Sequence, residues 1–251
     1  MEENKYSLGL VSVSFRKHSP REILEAMKEN GLTCVEWGSD VHAPYTDTAR
    51  LLELVALQKE CGIECSSYGT YFYIGETPVQ ELRGYIAAAK TLGTNILRLW
   101  CGKKSGAEMT CEEREAFLAE CCRAASVAEE EGVVLCMECH RKSFTEYKED
   151  ALWLMHEVNS EHFRMYWQPF QWKSIEENLV YAEEIAPLTH HIHVFQWKNE
   201  QKFSLGDGID EWRAYLSKFS LPRTLLLEFM PDGKLTTLSA EAEALRRIIE
   251  I

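Results

Sequence analysis

The sequence predicts an α/β protein that folds as a single (β/α)8 barrel. Four times in the first half of the chain a polar helical run ends in glycine and a short apolar run follows, at Gly31, Gly62, Gly93 and Gly132. A glycine suits the left-handed residue that closes a helix, and a spacing of about 30 to 40 residues is the length of one strand–helix–strand step. The 251 residues therefore accommodate about eight steps, the number in a closed barrel.

Apolar periodicity places the individual elements. Short apolar runs predict strands, and runs with apolar residues every three or four positions predict helices. The predicted strands cover 7–15, 34–38, 64–72, 95–101, 133–140, 163–168, 189–195 and 224–229. The predicted helices cover 20–30, 48–61, 78–92, 111–131, 147–158, 174–186, 208–219 and 237–250. Strict alternation of strands and helices predicts a parallel sheet with helical crossovers.

Capping sequences support four of the helix starts. In a capping box, Ser or Thr precedes Glu or Gln by three residues, and each side chain binds the backbone of the other. The matching segments are Ser19–Glu22, Thr77–Gln80, Thr110–Glu113 and Ser174–Glu177, two of which carry proline at the first helical position.

An open doubly wound sheet is the main alternative to a barrel. It would normally carry a glycine-rich phosphate turn after its first strand, but the corresponding segment here reads Ser14-Phe15-Arg16-Lys17-His18. No linker or low-complexity stretch interrupts the pattern, so we expect one domain over residues 1–251.

Charge and composition argue against several classes of partner. The net charge of −13 disfavours binding to nucleic-acid phosphates and to anionic lipid. No apolar run of about 18 residues suggests a membrane span, and the polar start Met1–Lys5 lacks the pattern of a signal peptide. The nine cysteines lie mostly in apolar contexts, as free thiols in a reducing compartment do. We therefore expect a cytoplasmic protein with no membrane or nucleic-acid partner.

Cys136 and Cys139 formally match the Cys-x-x-Cys spacing of redox and zinc sites. On a strand, however, residues three apart point to opposite faces. The pair cannot bind one metal without bending the strand, so we expect no redox or zinc site there.

Polar side chains recur where the last four strands end. Strand five reads Val133-Val134-Leu135-Cys136-Met137-Glu138-Cys139-His140, and the others end in Gln168, His193 and Glu228. Residues two apart share a face of a strand, so Glu138, His193 and Glu228 can all point into the barrel at one height. In such barrels the active site lies at the carboxyl ends of the strands.

Two carboxylates and an imidazole in a half-buried mouth would repel one another or need partners. A divalent cation resolves this, and oxygen ligands with one nitrogen suit Mn²⁺, Mg²⁺, Zn²⁺ or Co²⁺. Each residue alone has a simpler interpretation, because strand-end glutamates often form salt bridges and large aromatics usually belong to the core. The succession of ligand-type residues on four neighbouring strands favours a polar site.

These residues resemble the xylose isomerase-like TIM barrel superfamily, which includes sugar isomerases, ketose 3-epimerases, inosose dehydratases and endonuclease IV. The resemblance covers nearly the whole chain. Its markers are Met137–His140 with Ser143-Phe144-Thr145 behind it, His191–Val194, Gly206–Trp212 and Leu226–Glu228.

The resemblance implies that Glu138, Gln168, His193 and Glu228 form the metal site. The family has Asp at the position of Gln168 and His at the position of Gln171. A glutamine carbonyl oxygen can bind a divalent ion but brings no charge, so the ion would bind more weakly. After strand seven, many relatives have Lys-Asp where this chain has Phe195-Gln196.

The resemblance also implies a reaction. In the family's isomerases and epimerases two metal-bound glutamates move a proton next to a carbonyl, which makes Glu138 and Glu228 the catalytic pair. Substrate hydroxyls or the enolate oxygen would contact Arg98, His140 and Gln171, and the apolar platforms would be Trp37, Trp100 and Trp197. The expected substrate is a small polyhydroxylated sugar or sugar phosphate. The choice among isomerase, epimerase and dehydratase stays open, as does a homo-oligomer.

Two rival functions remain on the same fold. An endonuclease IV-type phosphodiesterase needs a three-zinc cluster and a basic rim, which eight histidines and a charge of −13 do not favour. A barrel that binds a sugar or a partner protein without catalysis is the second rival, and Gln168 is the feature that favours it.

Overall fold

The computed structural model describes residues 6–221 and 223–250. The segment Met1–Lys5, for which the sequence predicted no signal peptide, lies outside the described residues, as do Pro222 and Ile251. Within the described ranges no helix is long and apolar enough to span a bilayer.

Eight parallel strands form a closed barrel, which confirms the predicted (β/α)8 fold. The barrel closes because β1 pairs with β2 on one side and with β8 on the other, for example through Leu10, which lies beside both Val35 and Leu227. The strands are β1 (Tyr6–Val11), β2 (Cys34–Gly38), β3 (Glu64–Tyr73), β4 (Ile96–Trp100), β5 (Val134–Glu138), β6 (Phe163–Trp167), β7 (Thr189–Val194) and β8 (Arg223–Leu227).

Eight α-helices cover the outside of the barrel. They are α1 (Pro20–Glu29), α2 (Thr48–Cys61), α3 (Leu82–Leu92), α4 (Cys111–Glu131), α5 (Lys148–Val158), α6 (Ile175–Ile185), α7 (Ile209–Leu216) and α8 (Leu238–Ile249). A short hairpin, Trp197–Lys198 with Gln201–Lys202, follows β7.

Three of the four predicted capping boxes are present. Capping boxes start α1, α4 and α6 at Ser19, Thr110 and Ser174. The one expected at Thr77 is wrong, because a 3₁₀ turn at Val79–Glu81 comes first and α3 begins only at Leu82. There the Thr77 hydroxyl accepts a hydrogen bond from the backbone N–H of Tyr73 instead, at 3.2 Å.

Strand β1 is shorter than predicted. It ends at Val11, and Ser12–Phe15 form a 3₁₀ turn. The turn lets two serine hydroxyls accept hydrogen bonds from neighbouring strand ends: Ser12 from Gly38 and Ser14 from Phe229, both at 2.9 Å. The end of β1 is therefore tied to the loops that carry polar side chains into the barrel mouth.

Two apolar cores lie on the two faces of the sheet. The larger one fills the space between strands and helices, and a small one fills the barrel interior, with Val11, Cys34, Ile96, Cys136, Tyr166 and Leu226 among its members. Cys136 belongs to the inner core and Cys139 to the outer core, and both thiols are free. The prediction that this pair faces opposite ways is confirmed.

Candidate functional site

Glu138, His193 and Glu228 meet at the carboxyl ends of β5, β7 and β8. One ligand-type atom from each lies within 4.8 Å of the others. The His193 Nδ1 atom is 3.6 Å from Glu138 Oε1 and 3.5 Å from Glu228 Oε2. All three side chains are buried. The predicted convergence of these three residues is therefore present in the structure.

Strand pairing fixes the height of each side chain. Glu138 is the last residue of β5 and lies beside Tyr166 of β6. Leu226 of β8 lies beside His193 of β7, and two residues later the backbone N–H of Glu228 donates to the carbonyl of Val194 at 2.9 Å. The two glutamates thus reach the same level from strands on either side of β7.

Arg98 and Glu36 complete the charged cluster from below. Arg98 Nη1 is 3.0 Å from Glu138 Oε2, and Arg98 Nε is 3.4 Å from Glu36 Oε1. Glu36 Oε2 in turn is 3.5 Å from His193 Nε2. The imidazole is therefore surrounded by three carboxylates, with one guanidinium between two of them.

The cluster shifts the proton affinity of its members. Burial would lower the pKa of His193, but Glu228, Glu36 and Glu138 outweigh burial and raise that pKa to about 10. Burial raises the pKa of Glu228 to about 7, which His193 only partly offsets. Burial would also raise the pKa of Glu138, but Arg98 and His193 hold it well below its usual range. The pKa values of the two facing glutamates differ because Arg98 contacts Glu138 directly.

The donor set fits a divalent cation. The raised pKa of His193 keeps its imidazole protonated without a cation, so a cation that binds Nδ1 must displace that proton. With the imidazole then neutral, the carboxylates of Glu36, Glu138 and Glu228 and the guanidinium of Arg98 leave two negative charges for the cation to offset. Nδ1 of His193 is buried, faces both upper carboxylates and has no hydrogen-bond partner among the described residues. Two carboxylates and one imidazole are ligands for Mn²⁺, Mg²⁺, Zn²⁺ or Co²⁺.

Gln168 lines the same cavity as Glu138 and Glu228. Its Nε2 donates to the carbonyl of Cys139 at 3.0 Å, which fixes the orientation of the amide. Its Oε1 is buried and has no hydrogen-bond partner in the described part of the chain. A buried acceptor without a donor is costly, and a cation held by Glu138 and Glu228 would satisfy it.

A cavity of about 230 Å³ opens above the cluster. Its floor includes Glu138, Glu228, Arg98 and Gln168. Seven aromatic side chains line its wall, from the ends of β3 and β4 and from the segments after β6, β7 and β8: Tyr71, Trp100, Phe170, Trp172, Phe195, Trp197 and Phe229. The shape and lining suit a small molecule with both polar and apolar faces.

Three predicted contact residues stand in the cavity wall. The ring of Trp100 stacks on Tyr73 with centroids 5.4 Å apart and meets the His140 ring edge-on at 4.3 Å. His140 Nδ1 lies 2.7 Å from the carbonyl of Arg141, so Nδ1 carries a proton and Nε2 is available to a ligand. Trp197 packs against Phe229 with centroids 5.2 Å apart.

A family model described as the xylose isomerase-like TIM barrel matches residues 24–248. The chain belongs to this family. The resemblance seen in the sequence motifs is thereby confirmed, and the site described above lies where strands of the family barrel end.

Relatives in the family differ in activity. A 3-dehydroshikimate dehydratase of Bacillus anthracis is 22% identical over 200 residues, which cover 75% of this chain and 70% of the dehydratase. The crystal structure of a probable 3-DHS dehydratase from that organism has a TM-score of 0.79 at 16% identity and covers 96% of this chain and 98% of its own. The family therefore includes enzymes other than isomerases.

Two further solved structures share the barrel. D-psicose 3-epimerase of Clostridium cellulolyticum H10, solved with D-tagatose, has a TM-score of 0.70 at 12% identity and covers 98% of this chain and 100% of its own. A family member from Mycobacterium smegmatis, solved in complex with magnesium, has a TM-score of 0.66 at 12% identity, covering 94% of this chain and 90% of its own. At these identities the likeness is one of fold.

Trp37 does not line the cavity, although the sequence resemblance implied that it forms an apolar platform for substrate. Its side chain is fully buried in the outer core, and its Nε1 donates to Gln58 of α2 at 2.9 Å. The inward-facing residue at this level of β2 is Glu36. Trp37 therefore points away from the cavity, and the expectation that it contacts substrate fails.

Gln171 lines the cavity, but its carbonyl oxygen is already engaged. Oε1 accepts a hydrogen bond from the backbone N–H of Glu200 at 2.9 Å, and the Gln171 backbone carbonyl accepts one from Asn199 at 3.1 Å. Only the amide NH₂ group is left for a ligand. Gln171 thus fastens the hairpin after β7 to the cavity wall.

Sequence reasoning assigned no role to several residues at the site. Glu36 was visible as a strand-end carboxylate, and the alternation of β2 could have placed it inward. Arg16 and Arg141 also line the cavity, and nothing in their local sequence distinguishes them from surface arginines. Phe229 adopts a φ of 52°, which is rare for a bulky residue and has no sequence signal.

Proposed function

We propose that this chain is a metal-assisted isomerase or epimerase of a small polyhydroxylated ketose or aldose. The observation that carries the proposal is the pair of buried carboxylates, Glu138 and Glu228, which face each other across His193 on the floor of a small cavity. Two carboxylates on the two sides of one substrate carbon can remove a proton and return it.

Glu138, His193, Glu228 and the carbonyl oxygen of Gln168 would hold the ion. When bound, a divalent cation polarises a substrate carbonyl and stabilises the negative charge that develops on its oxygen. The family member solved with magnesium supports this part of the proposal.

The chain's own groups would then transfer the proton and bind the substrate. One carboxylate, on Glu138 or Glu228, takes the proton from the carbon next to the carbonyl, and the other delivers a proton to that carbon or to its neighbour. Arg98 holds Glu138 in place through the 3.0 Å contact. His140 Nε2 and the free amide of Gln171 can bind substrate hydroxyls from the wall.

The aromatic wall has two tasks in this reaction. Trp100 and Trp197 offer apolar faces to the C–H side of a sugar, a common use of aromatic rings at binding sites. Together with Phe229 they also exclude water, which strengthens the electrostatic interactions on the cavity floor. A reactive enediolate is thereby shielded from side reactions.

A dehydratase is the second candidate, and the similarity to the 3-dehydroshikimate dehydratase favours it. Its first step is the same: a carboxylate removes the proton next to the carbonyl. The electron pair then expels a hydroxyl from the carbon beyond, and the hydroxyl leaves as water after taking a proton. The carboxyl group that took the proton in the first step can supply it to the leaving hydroxyl, so the proton balance closes.

Proton exchange with solvent tests the shared step directly. The Mn²⁺-loaded protein is incubated in D₂O with D-psicose, D-tagatose, L-ribulose and 3-dehydroshikimate, and NMR follows deuterium incorporation and product. We expect deuterium next to the carbonyl in one substrate, with an epimer or isomer as product. Loss of water from 3-dehydroshikimate instead would select the dehydratase.

Two variants connect the exchange to the glutamates. Glu138→Gln and Glu228→Gln should each lose at least about a thousandfold in rate, the scale of a lost acid–base group combined with a lost charge. Glu241→Gln is the matched control. Glu241 is equally buried, but its carboxylate accepts hydrogen bonds from Ser204 and Leu205 and does not line the cavity. Full activity in both site variants would refute the assignment, and sugar binding without any exchange would favour a binding-only barrel.

A further inference from the structure

We propose that Glu36 is a positioning residue that fixes the orientation and the protonated nitrogen of His193, and so sets the affinity of the site for its divalent cation. The inference rests on the proposed metal-assisted function. It concerns a residue below the cavity floor, which does not itself touch a ligand in the cavity.

Glu36 is held rigidly in the barrel interior. Its side chain is fully buried. The hydroxyl of Tyr166 lies 2.7 Å from its Oε2, and the hydroxyl of Ser67 donates to the same oxygen at 2.9 Å. Buried carboxylates are tolerated only when they are paired and hydrogen-bonded, and these contacts leave the carboxylate one position.

The two nitrogens of His193 face different partners. Nε2 faces Glu36 Oε2 at 3.5 Å, while Nδ1 faces Glu138 Oε1 and Glu228 Oε2 at 3.6 and 3.5 Å. Once a cation has displaced one proton, the neutral imidazole carries the other on one nitrogen only. With Nε2–H directed at the fixed carboxylate of Glu36, the lone pair of Nδ1 points to the space between the two upper glutamates.

This arrangement is the outer-shell pattern of metal-binding histidines. Such histidines donate their second N–H to a carboxylate or carbonyl, which fixes the tautomer and makes the ligating nitrogen more basic. The structure places a carboxylate on the side of the ring that faces away from Glu138 and Glu228. Nδ1 is therefore the nitrogen that would bind the ion.

A glycine in β3 makes room for this carboxylate. Gly69 lies beside Arg98 in the sheet, and a Cβ atom there would be 2.5 Å from Glu36 Oε1 and 2.9 Å from Arg98 Nη2. Glycine inside a strand is destabilising and often marks a close approach. The absence of a side chain at position 69 is explained by the space that the Glu36–Arg98 contact needs.

Pairing with Arg98 alone does not explain why a carboxylate is buried at position 36. Arg98 approaches Oε1 only at 3.4 Å and makes its shorter contact, 3.0 Å, with Glu138. The hydroxyls and His193 gather on the other oxygen, Oε2. The carboxylate therefore bridges the guanidinium and the imidazole and orients both toward the cavity floor.

The test measures metal affinity without any substrate. Mn²⁺ binding is followed by calorimetry for the wild-type protein, Glu36→Gln and the buried-carboxylate control Glu241→Gln. Loss of an outer-shell partner typically weakens metal binding by about 10- to 100-fold. We expect a loss of that size in Glu36→Gln and none in Glu241→Gln.

A spectroscopic readout tests the tautomer of His193 that the inference requires. In ¹⁵N-histidine-labelled wild-type protein loaded with diamagnetic Zn²⁺, NMR should show the proton of His193 on Nε2 and the metal on Nδ1. Metal on Nε2 would overturn the inference, whatever the affinities.

The outcomes distinguish this inference from the proposed function. If the wild-type protein binds no Mn²⁺, both fail together. If it binds Mn²⁺ and folded Glu36→Gln binds it equally well, only the role of Glu36 fails. Should Glu36→Gln not fold, Tyr166→Phe decides: loss of one hydrogen bond to the carboxylate should weaken Mn²⁺ binding by about two- to tenfold, and unchanged binding would overturn the inference.

Discussion

At the scale of single residues, Gln168 sets the charge of the candidate metal centre. The family motif places an Asp here, and this chain supplies a neutral amide whose Oε1 is buried without a partner in the described ranges. Nε2 is committed to the carbonyl of Cys139. The amide therefore keeps a buried acceptor free at the cavity that Gln168 lines, yet it brings no negative charge to offset that of a cation.

Replacing Gln168 by Asp should tighten metal binding. One added charge about 4 Å from a cation gains several kcal/mol at an effective dielectric constant near 20, before the cost of desolvation. We expect Gln168→Asp to raise the Mn²⁺ affinity at least about tenfold in a calorimetric titration. Gln171→Asp is the control, because the Gln171 side-chain oxygen binds the hairpin. An equal gain in Mn²⁺ affinity there would show that the added negative charge, and not ligation, is responsible.

At the scale of elements, two neighbouring residues of β2 face opposite sides of the sheet, one toward the candidate site and one toward the outer core. Glu36 faces the barrel interior, and its neighbour Trp37 faces α2, where it binds Gln58. The expectation at Trp37 failed because neighbouring residues of a strand face opposite sides, so the inward position of Glu36 places Trp37 in the outer core. A bulge between β2 and β3, at Val35/Glu36, further obscures the register.

Trp37→Phe should therefore reduce stability and leave metal binding intact. The variant loses a buried hydrogen bond to Gln58 and part of a ring, at a cost of about 1–3 kcal/mol. Urea unfolding measures the change in the free energy of unfolding. Trp100→Phe, the same substitution in the cavity wall, should cost less because Trp100 Nε1 has no hydrogen-bond partner within the described ranges. A reduced Mn²⁺ affinity in Trp37→Phe would contradict this placement.

The hairpin after β7 is a second element whose anchoring can be tested. Asn199 and Glu200 both have positive φ, of 49° and 68°, as a tight two-residue turn requires. Gln171 binds both of their N–H groups, one with its side chain and one with its backbone.

Gln171→Ala removes the side-chain acceptor only. We expect the backbone amide of Glu200 to exchange with deuterium faster, because it loses its partner, while the amide of Asn199 keeps the backbone carbonyl and changes little. Amide-resolved hydrogen exchange by NMR measures both. Equal protection of Glu200 in variant and wild type would show that the hairpin is held in another way.

At the scale of the whole molecule, the fold followed from repetition and alternation. Each repeat ends a helix in glycine and begins a strand, so the order of elements was predictable to within a few residues. The convergence of Glu138, His193 and Glu228 was equally predictable, because all three come at the ends of apolar runs and residues two apart on a strand share a face.

The remaining features depend on contacts between distant segments. The 3₁₀ turn after β1 forms where Ser12 and Ser14 can bind the ends of β2 and β8, partners that local sequence does not reveal. The use of Gln171 by the hairpin and the pairing of Glu36 with His193 are of the same kind. Such contacts are determined by the closed barrel, and periodicity within one strand carries no information about them.

The central claim is that the charged cluster binds one divalent cation through Glu138, His193 and Glu228, and titration with Mn²⁺ tests it most directly. Calorimetry should show one saturable site per chain, and melting should shift upward with a gain of about 2.7 kcal/mol at a hundredfold excess over Kd. Glu228→Gln should lose both effects. No saturable binding at millimolar Mn²⁺, or unchanged binding in Glu228→Gln, would contradict the claim.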